Sequence, residues 1–262
     1  QNYKVDILDQ PFEIKSDINF KKTAKIAFYD NNNNLIETKK YGVVDPEFIY
    51  NKIINKESID ISRCYVKNFS LSNFRTKNNI NAREKVDLID FTAVDSIFES
   101  EKIIDFTLGN FIGSKADFSN THFGLGNLSF LKSEFGDFKV LFKGSSYSEG
   151  NNSFQYVKFN NGNVNFDNST FENGNLSFVN TYFGDGNSSF KNIHFGNGDV
   201  NNVTTVTPDK LRDGHFCNNN HNAFSRSELT KLCSKEPQCL NKEQLVFFKN
   251  LLREADTDDR WY

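Results

Sequence analysis

Several residue types are scarce or missing in this chain of 262 residues. It contains no methionine, one tryptophan, four prolines and four cysteines. Four cysteines in a chain of this length do not make a disulfide framework, so a reducing compartment is the default and we expect a cytoplasmic protein. No apolar run reaches the length of about 18 residues that a membrane-spanning helix needs. The net charge of −3 provides no strong attraction to nucleic acid or to an anionic membrane.

Familiar catalytic motifs are also missing. The chain has no Gly-x4-Gly-Lys-Ser/Thr phosphate loop, no His-Glu-x-x-His pair and no Gly-x-Ser-x-Gly nucleophile turn. We therefore predict that the chain is not an enzyme and that it has no catalytic, cofactor-binding or metal-binding residues.

What the chain does contain is a strict repeat of aromatic residues. Two series each have a period of 12, and the second follows the first by 5 residues. The first series is Phe118, Phe130, Phe142, Phe154, Phe166, Phe178 and Phe190, and the second is Phe123, Phe135, Tyr147, Phe159, Phe171, Phe183 and Phe195. Steps of 5 and 7 residues do not share one face of a helix, whereas a short fixed period is typical of stacked repeat proteins. The pattern predicts an all-β solenoid with both series inside.

Small or apolar residues occupy the position two before most of these aromatics, on the same face of an extended strand. They are Ala116, Thr121, Leu128, Ser133, Val140, Ser145, Val164, Ser169, Leu176, Thr181, Ser188 and Ile193, while Asn152 and Val157 depart from the rule. This arrangement resembles the pentapeptide-repeat family, whose unit is a small residue, any residue, a central Leu or Phe, and two more. The resemblance covers roughly residues 58–200 and implies a right-handed quadrilateral β-helix. Here alternate units are two residues longer, so units of 5 and 7 alternate.

The length of one coil has two solutions, a four-walled coil of 24 residues and a flattened two-walled coil of 12. We favour 24, because four walls enclose enough room for interdigitated rings at interior packing density. Phe118, Phe142, Phe166 and Phe190 would then form one ladder, and Phe130, Phe154 and Phe178 the opposite one.

Three regions follow from this pattern. Residues 1–57 predict a hairpin, with strands at 22–29 and 35–41, and a capping helix at 45–56 that Asp45 and Pro46 begin. Residues 58–204 predict the solenoid, with a first coil at 58–74 that places Cys64 inside and an irregular stretch at 75–104. Residues 205–262 predict a helical cap or linker. Its apolar stripe would cover the last coil or form a homodimer, and consists of Leu245, Phe248, Leu251 and Leu252.

One group of metal-capable side chains lies after the repeats. It consists of His215, Cys217, His221, Cys233 and Cys239. Zinc binding, a disulfide and a plain structural role all stay open, although the close pairing typical of zinc sites is absent. The Gly-x-Gly-Asn turns differ in period from calcium-binding β-rolls, so we interpret them as stacked Asn amides that hydrogen-bond along the solenoid.

The resemblance implies a non-catalytic scaffold that binds a protein partner, either alone or as one module of a larger bacterial protein. Two alternatives are a DNA mimic that binds a topoisomerase, and a sensor or targeting domain of a membrane or defence protein. The weak charge of the repeats argues against mimicry of nucleic acid and against its binding.

We expect chelators to leave the fold intact, because neither the Cys/His group nor the Gly-Asn turns have metal-ligand spacing. The melting temperature should be the same with and without EDTA or a zinc chelator. A sharp fall on chelation would show that a metal ion holds the fold.

Overall fold

The computed structural model describes residues 2–15, 18–184, 186–196, 200–201 and 204–205. Within these residues the chain is mostly β-structure with two helices, α1 (Pro46–Ile54) and α2 (Leu71–Lys77). The strands before α1 are β1 (Asn2–Leu8), β2 (Phe12–Lys15), β3 (Ile18–Phe20), β4 (Thr23–Tyr29) and β5 (Leu35–Val44). The predicted strands at 22–29 and 35–41 are confirmed as β4 and β5, whereas β1, β2 and β3 were not predicted.

After α1, the strands of the described chain pair in parallel. Those of the first coils are β6 (Ser58–Asp60), β7 (Cys64–Lys67), β8 (Val86–Thr92), β9 (Ile97–Glu99), β10 (Ile103–Asp105), β11 (Gly109–Asp117), β12 (His122–Phe123) and β13 (Asn127–Ser129). They continue as β14 (Glu134–Phe135), β15 (Val140–Leu141), β16 (Ser146–Tyr147), β17 (Asn152–Ser153), β18 (Val164–Asn165) and β19 (Thr170–Phe171). The last are β20 (Leu176–Ser177), β21 (Thr181–Tyr182), β22 (Ser188–Ser189), β23 (His194–Phe195), β24 (Val200–Asn201) and β25 (Thr204–Thr205).

These strands stack as parallel ladders with the arrangement of a β-helix. One ladder contains β7, β9, β12, β16, β19 and β23, a second runs from β10 to β24, and a third runs from β6 to β22. A fourth ladder passes through β14, Lys158, β21 and β25. In the first of these ladders His122 pairs with Ser146, which is 24 residues further along the chain. Leu128 pairs with Asn152 at the same separation. This register confirms the longer of the two coil lengths and excludes the shorter.

The first coil is longer than the others. The backbone N–H of Cys64 donates to Oγ of Ser96, 32 residues later, because α2 and the loop after it are inserted between them. The prediction that residues 58–74 form one coil was therefore wrong at its C-terminal end, where α2 begins at Leu71. Phe74 lies in α2 and packs against Tyr50 of α1, with ring centroids 5.3 Å apart. Cys64 is buried as predicted, with a free thiol.

The core consists of stacked aromatic rings. In the first stack, which is Phe118, Phe142, Phe166 and Phe190, the centroids are 4.9, 4.6 and 5.0 Å apart. In the second stack, which is Phe106, Phe130, Phe154 and Phe178, they are 4.7, 5.1 and 5.0 Å apart. The two stacks meet edge to face, as Phe130 and Phe142 do at 5.5 Å and 89°. The ring separations match the spacing of about 4.8 Å between strands, so each coil adds one ring to each stack.

Buried hydroxyl groups satisfy backbone carbonyls beside these rings. Ser133 Oγ donates to the carbonyl of Phe106 at 2.7 Å, and Thr181 Oγ1 to that of Phe154 at 2.6 Å. Each bond reaches back to the preceding coil. Ser and Thr at the position two before an aromatic are thus small enough for the core and polar enough to pair a buried oxygen.

The Gly-Asn segments form corners where successive coils touch backbone to backbone. A Cβ atom on Gly150 would lie 2.0 Å from the carbonyl oxygen of Gly126, and one on Gly174 would lie 1.9 Å from that of Gly150. Only glycine allows this approach. Asn127 Oδ1 accepts a hydrogen bond from the backbone N–H of Asn151 at 2.9 Å. Asn side chains therefore do bond along the axis at these corners.

Helix α1 covers the start of the core. As predicted, Pro46 lies at its first turn, and Asp45 Oδ1 accepts the backbone N–H of Glu47 at 2.9 Å. Its buried residues are Ile49 and Tyr50.

A buried carboxylate ties α2 to the coil beneath it. Asp105 Oδ2 accepts bonds from Ser70 Oγ at 2.9 Å and Ser72 N at 3.0 Å, at the N-terminus of α2. Burial alone would raise the pKa of Asp105, but hydrogen bonds from Ser72 and Thr107 lower it below its usual value. Arg75 is also buried and donates from Nη1 to the carbonyl of Thr107 at 3.0 Å.

Two groups of predictions concern residues that lie outside the described part of the chain. They are the C-terminal helices with their stripe of Leu245, Phe248, Leu251 and Leu252, and the group of His215, Cys217, His221, Cys233 and Cys239. Within the described residues, neither helix has the length and apolar character needed to cross a membrane.

We expect Phe142→Ala to destabilise the fold by about 3–5 kcal/mol, because the change removes a ring from the middle of the first stack and leaves a cavity. Urea denaturation measures the loss. Tyr156→Ala is the control, since this ring is 46 % exposed at a corner. Equal effects of the two changes would contradict the stacked core.

Candidate functional site: a groove beside the N-terminal hairpin

The N-terminal sheet continues one ladder of the solenoid and also covers its outer face. Strand β5 pairs antiparallel with β4 and parallel with β7, so the sheet runs without interruption from β1 to β23. A second apolar core lies between the N-terminal strands and the outer face of β7 and β9. Its buried members are Ala24, Ile26, Phe28, Tyr41, Tyr65 and Ile97. The apolar faces of β1, β4 and β5 thus hold this three-stranded N-terminal sheet, which we call the hairpin, against the wall formed by β7 and β9.

Gly124 allows Tyr3 of β1 to reach this wall. A Cβ atom on Gly124 would lie 2.1 Å from Tyr3 Oη. Phe123 pairs with Tyr147, so Ser148 occupies the same position one coil later. The wall accepts a side chain there, whereas a side chain on Gly124 would meet Tyr3.

A buried carboxylate lies beneath the hairpin. Glu99 is 7 % exposed, and its Oε2 accepts a hydrogen bond from Tyr65 Oη. Burial and the bond to Glu99 raise the pKa of Tyr65, and burial beside Glu99 also raises the pKa of Tyr3. Both phenols therefore stay protonated at neutral pH, and Tyr65 acts as a donor to the carboxylate.

His122 also lies under the hairpin, in contact with Tyr3. Its ring meets the ring of Tyr3 edge to face at 5.1 Å, and its Nδ1 lies 2.6 Å from Ser146 Oγ. Among the described residues, no group forms a hydrogen bond with its buried Nε2. Burial lowers the pKa of His122 from 6.5 to about 4, so the imidazole is neutral at neutral pH.

A groove with a volume of about 1040 Å³ lies between the hairpin and the corners of the solenoid. We call it the hairpin groove. Strand β1 and the end of the hairpin line it with Tyr3, Lys4, Val5, Ile7, Tyr29 and Asn33. The solenoid lines it with Tyr65, Lys67, Glu99, Leu125, Gly126, Ser148, Glu149, Gly150 and Glu172. This combination of aromatic rings, three carboxylates and two lysines is suited to recognition of a polypeptide.

Two of its apolar residues are unusually exposed. Leu125 is 67 % exposed and Ile7 is 47 % exposed. Of the lysines, Lys4 Nζ lies 5.5 Å from the centre of the Tyr29 ring, and Lys67 Nζ lies 3.9 Å from a carboxylate oxygen of Glu101. Both ammonium groups already have partners on the surface. Glu149 is exposed and its Oε1 accepts a long hydrogen bond of 3.4 Å from Asn173 Nδ2, so the groove presents apolar surface together with this carboxylate.

None of the groove was predicted from the sequence. The alternation of Tyr3, Val5 and Ile7 was a signal for strand β1, but nothing local placed that strand against Leu125 or Glu149. Among the described residues, no three His, Cys, Asp or Glu side chains are grouped as a metal site requires. The thiol of Cys64 lies in the core, and its Sγ is 3.4 Å from the carbonyl of Ser62. Burial raises the pKa of that thiol.

No protein-family model matches the chain, and neither a curated protein nor a solved structure matches it. The resemblance to pentapeptide repeats therefore stays a prediction that rests on the chain's own 12-residue period.

We expect stability to fall as the pH drops from about 6.5 towards 4, because His122 binds a proton readily only when the chain unfolds. The folded-state pKa lies below the unfolded value, so the full stability is present above pH 6.5, and roughly 3 kcal/mol at most is lost at low pH. Urea midpoints across this range measure the effect.

The variant His122→Gln should flatten this pH dependence. His194→Gln is the matched control, because His194 lies in the same ladder of positions but is exposed. If both variants keep the same slope as the parent chain, His122 is not the group that titrates.

Proposed function

We propose that this chain is a non-catalytic solenoid of the pentapeptide-repeat type that binds a protein partner in the hairpin groove. The four parallel ladders and the register between successive coils support a right-handed, quadrilateral β-helix. A cytoplasmic location goes with this proposal, and the free thiol of Cys64 and the low cysteine content support it.

The groove is the observation that carries the proposal. Its volume of about 1040 Å³ is at the upper limit of small-molecule pockets, which suits a segment of polypeptide better. Tyr3 and Tyr29 are partly exposed and provide rigid aromatic surface, which is typical of protein interfaces, while Tyr65 beneath them is buried and holds Glu99. The stacked core beneath keeps this surface in one shape, so little ordering cost accompanies binding.

The chemistry of the lining favours binding over catalysis. Among the described residues that line the groove there is no histidine or cysteine, so Ser148 has no imidazole beside it to act as a general base. Glu99 is held by Tyr65 and is largely covered by the hairpin. We therefore assign these groups to recognition.

We expect a photo-crosslinking residue at position 125 to capture a protein partner in the cells that make this chain. The same residue at position 156 is the control, because Leu125 and Tyr156 are both large and exposed but lie on different corners. Mass spectrometry of the adducts identifies the partner. Adducts with no protein, or equal adducts at both positions, would contradict binding in the groove.

A DNA-mimicking topoisomerase inhibitor is the alternative that the charge disfavours. Residues 105–200 contain nine acidic residues and six lysines, a net charge of −3. At about 4.8 Å per coil these four coils span about 19 Å, over which B-DNA carries about 11 negative charges. We expect the chain to leave gyrase supercoiling unchanged at micromolar concentration. Inhibition that weakens with added salt would favour mimicry.

A further inference from the structure

The outer edge of β1 is a free sheet edge that faces the hairpin groove. In the nine-stranded sheet β1 is the terminal strand, and it pairs with β4 over all seven of its residues without a bulge. Among the described residues, no strand pairs with its other edge. In an antiparallel strand about half of the residues direct their N–H and C=O groups away from the partner strand. These groups of β1 are available to a further strand.

The residues of β1 that line the groove indicate which part of the strand borders it. Tyr3, Lys4 and Val5 are consecutive, and their side chains alternate between the two faces of the sheet. All three line the groove. It is therefore the edge of the strand, rather than one face, that forms this side of the groove.

We propose that the hairpin groove binds an extended segment of a partner protein, which adds to β1 as a further strand. This inference rests on the proposed function and gives its mode of binding. Main-chain hydrogen bonds to β1 provide affinity that does not depend on sequence, and the groove lining selects the side chains.

The lining defines the chemistry of the segment. Ile7 and Leu125 present exposed apolar surface, and Glu149 and Glu172 add carboxylates at the solenoid side. A segment that alternates large apolar residues with Lys or Arg matches both features, because alternate residues of a strand point to opposite sides. Charge complementarity thus favours a basic, apolar segment.

The far side of the groove argues against a second copy of this chain as the occupant. The solenoid corners at Leu125, Gly126, Glu149 and Gly150 face β1 across the groove. A second copy would bring β1 together with its own sheet and solenoid, and we expect the corners on the far side of the groove to obstruct such a layer. A single extended segment needs only the strand spacing of about 4.8 Å.

The test begins with selection of displayed random 12-residue peptides on the full chain. Selected peptides should alternate apolar and basic residues. With a labelled peptide from this selection, Glu149→Lys should lower affinity by about tenfold or more, since it reverses a charge in the groove. Asp137→Lys is the matched control, because Asp137 is an exposed corner carboxylate that does not line the groove. The affinity of this variant for the peptide should differ from that of the parent chain by less than about twofold.

Hydrogen exchange of the β1 amides provides the readout that side-chain docking alone would not give. In the free chain the amides that point towards β4 should be protected and the alternate ones should exchange quickly. On binding of the selected peptide, the alternate amides of β1 should become protected. Protection confined to other segments, or a selection that yields no peptide, overturns strand addition.

The mass of the free chain tests whether a second copy of the chain occupies the edge of β1 instead. Protection of the alternate β1 amides without peptide, together with a doubled mass in sedimentation, would show that a second copy occupies the edge and would overturn the proposal. Failure of strand addition while crosslinking at position 125 still captures a partner would leave the proposed function intact. Failure of that crosslinking would remove the proposed function itself.

Discussion

The edge-to-face packing of the two phenylalanine stacks is the constraint on which the rest of the fold depends. Rings that repeat at 4.6–5.1 Å within a stack hold the equivalent residues of successive coils one strand spacing apart. From β12 onward, successive strands of the ladder that ends at β23 are 24 residues apart, whereas β9 and β12 are 25 residues apart. Glycine at corners such as Gly150 and Gly174 follows from the close spacing of the coils, as do the hydroxyls of Ser133 and Thr181 that pair backbone carbonyls between coils.

The periodic part of the structure could be predicted from the sequence because its determinants are local and repeated. The constant period of the aromatics determined which side chains are inside, and the room that two rings need favoured the longer coil. Asp45 and Pro46 marked the start of α1 because helix capping is also local. Helix α2 was missed since Phe69 and Phe74 keep the 5-residue spacing of the repeat, although Phe74 packs on Tyr50 within a helix pair.

The groove could not be predicted because it depends on contacts between distant parts of the chain. Tyr3 lies against Gly124, and Tyr65 bonds Glu99, and neither pair leaves a mark in a sequence window. The hairpin closes the end of the β7 ladder by pairing, yet it leaves the edge of β1 open. Among the described residues, this ladder therefore ends in the unpaired edge of β1, beside the tyrosines that line the hairpin groove.

The equivalence of the two halves of each coil has a consequence for how such a chain changes in evolution. A duplication of one whole coil would lengthen the rod and return the downstream chain to the same wall. A duplication of half a coil would keep every aromatic inside, since both halves share the spacing of 5 and 7. It would, however, turn everything after it to the opposite wall. A half-coil duplication would thus move the chain that follows the repeats to the other side of the solenoid without disturbing the core.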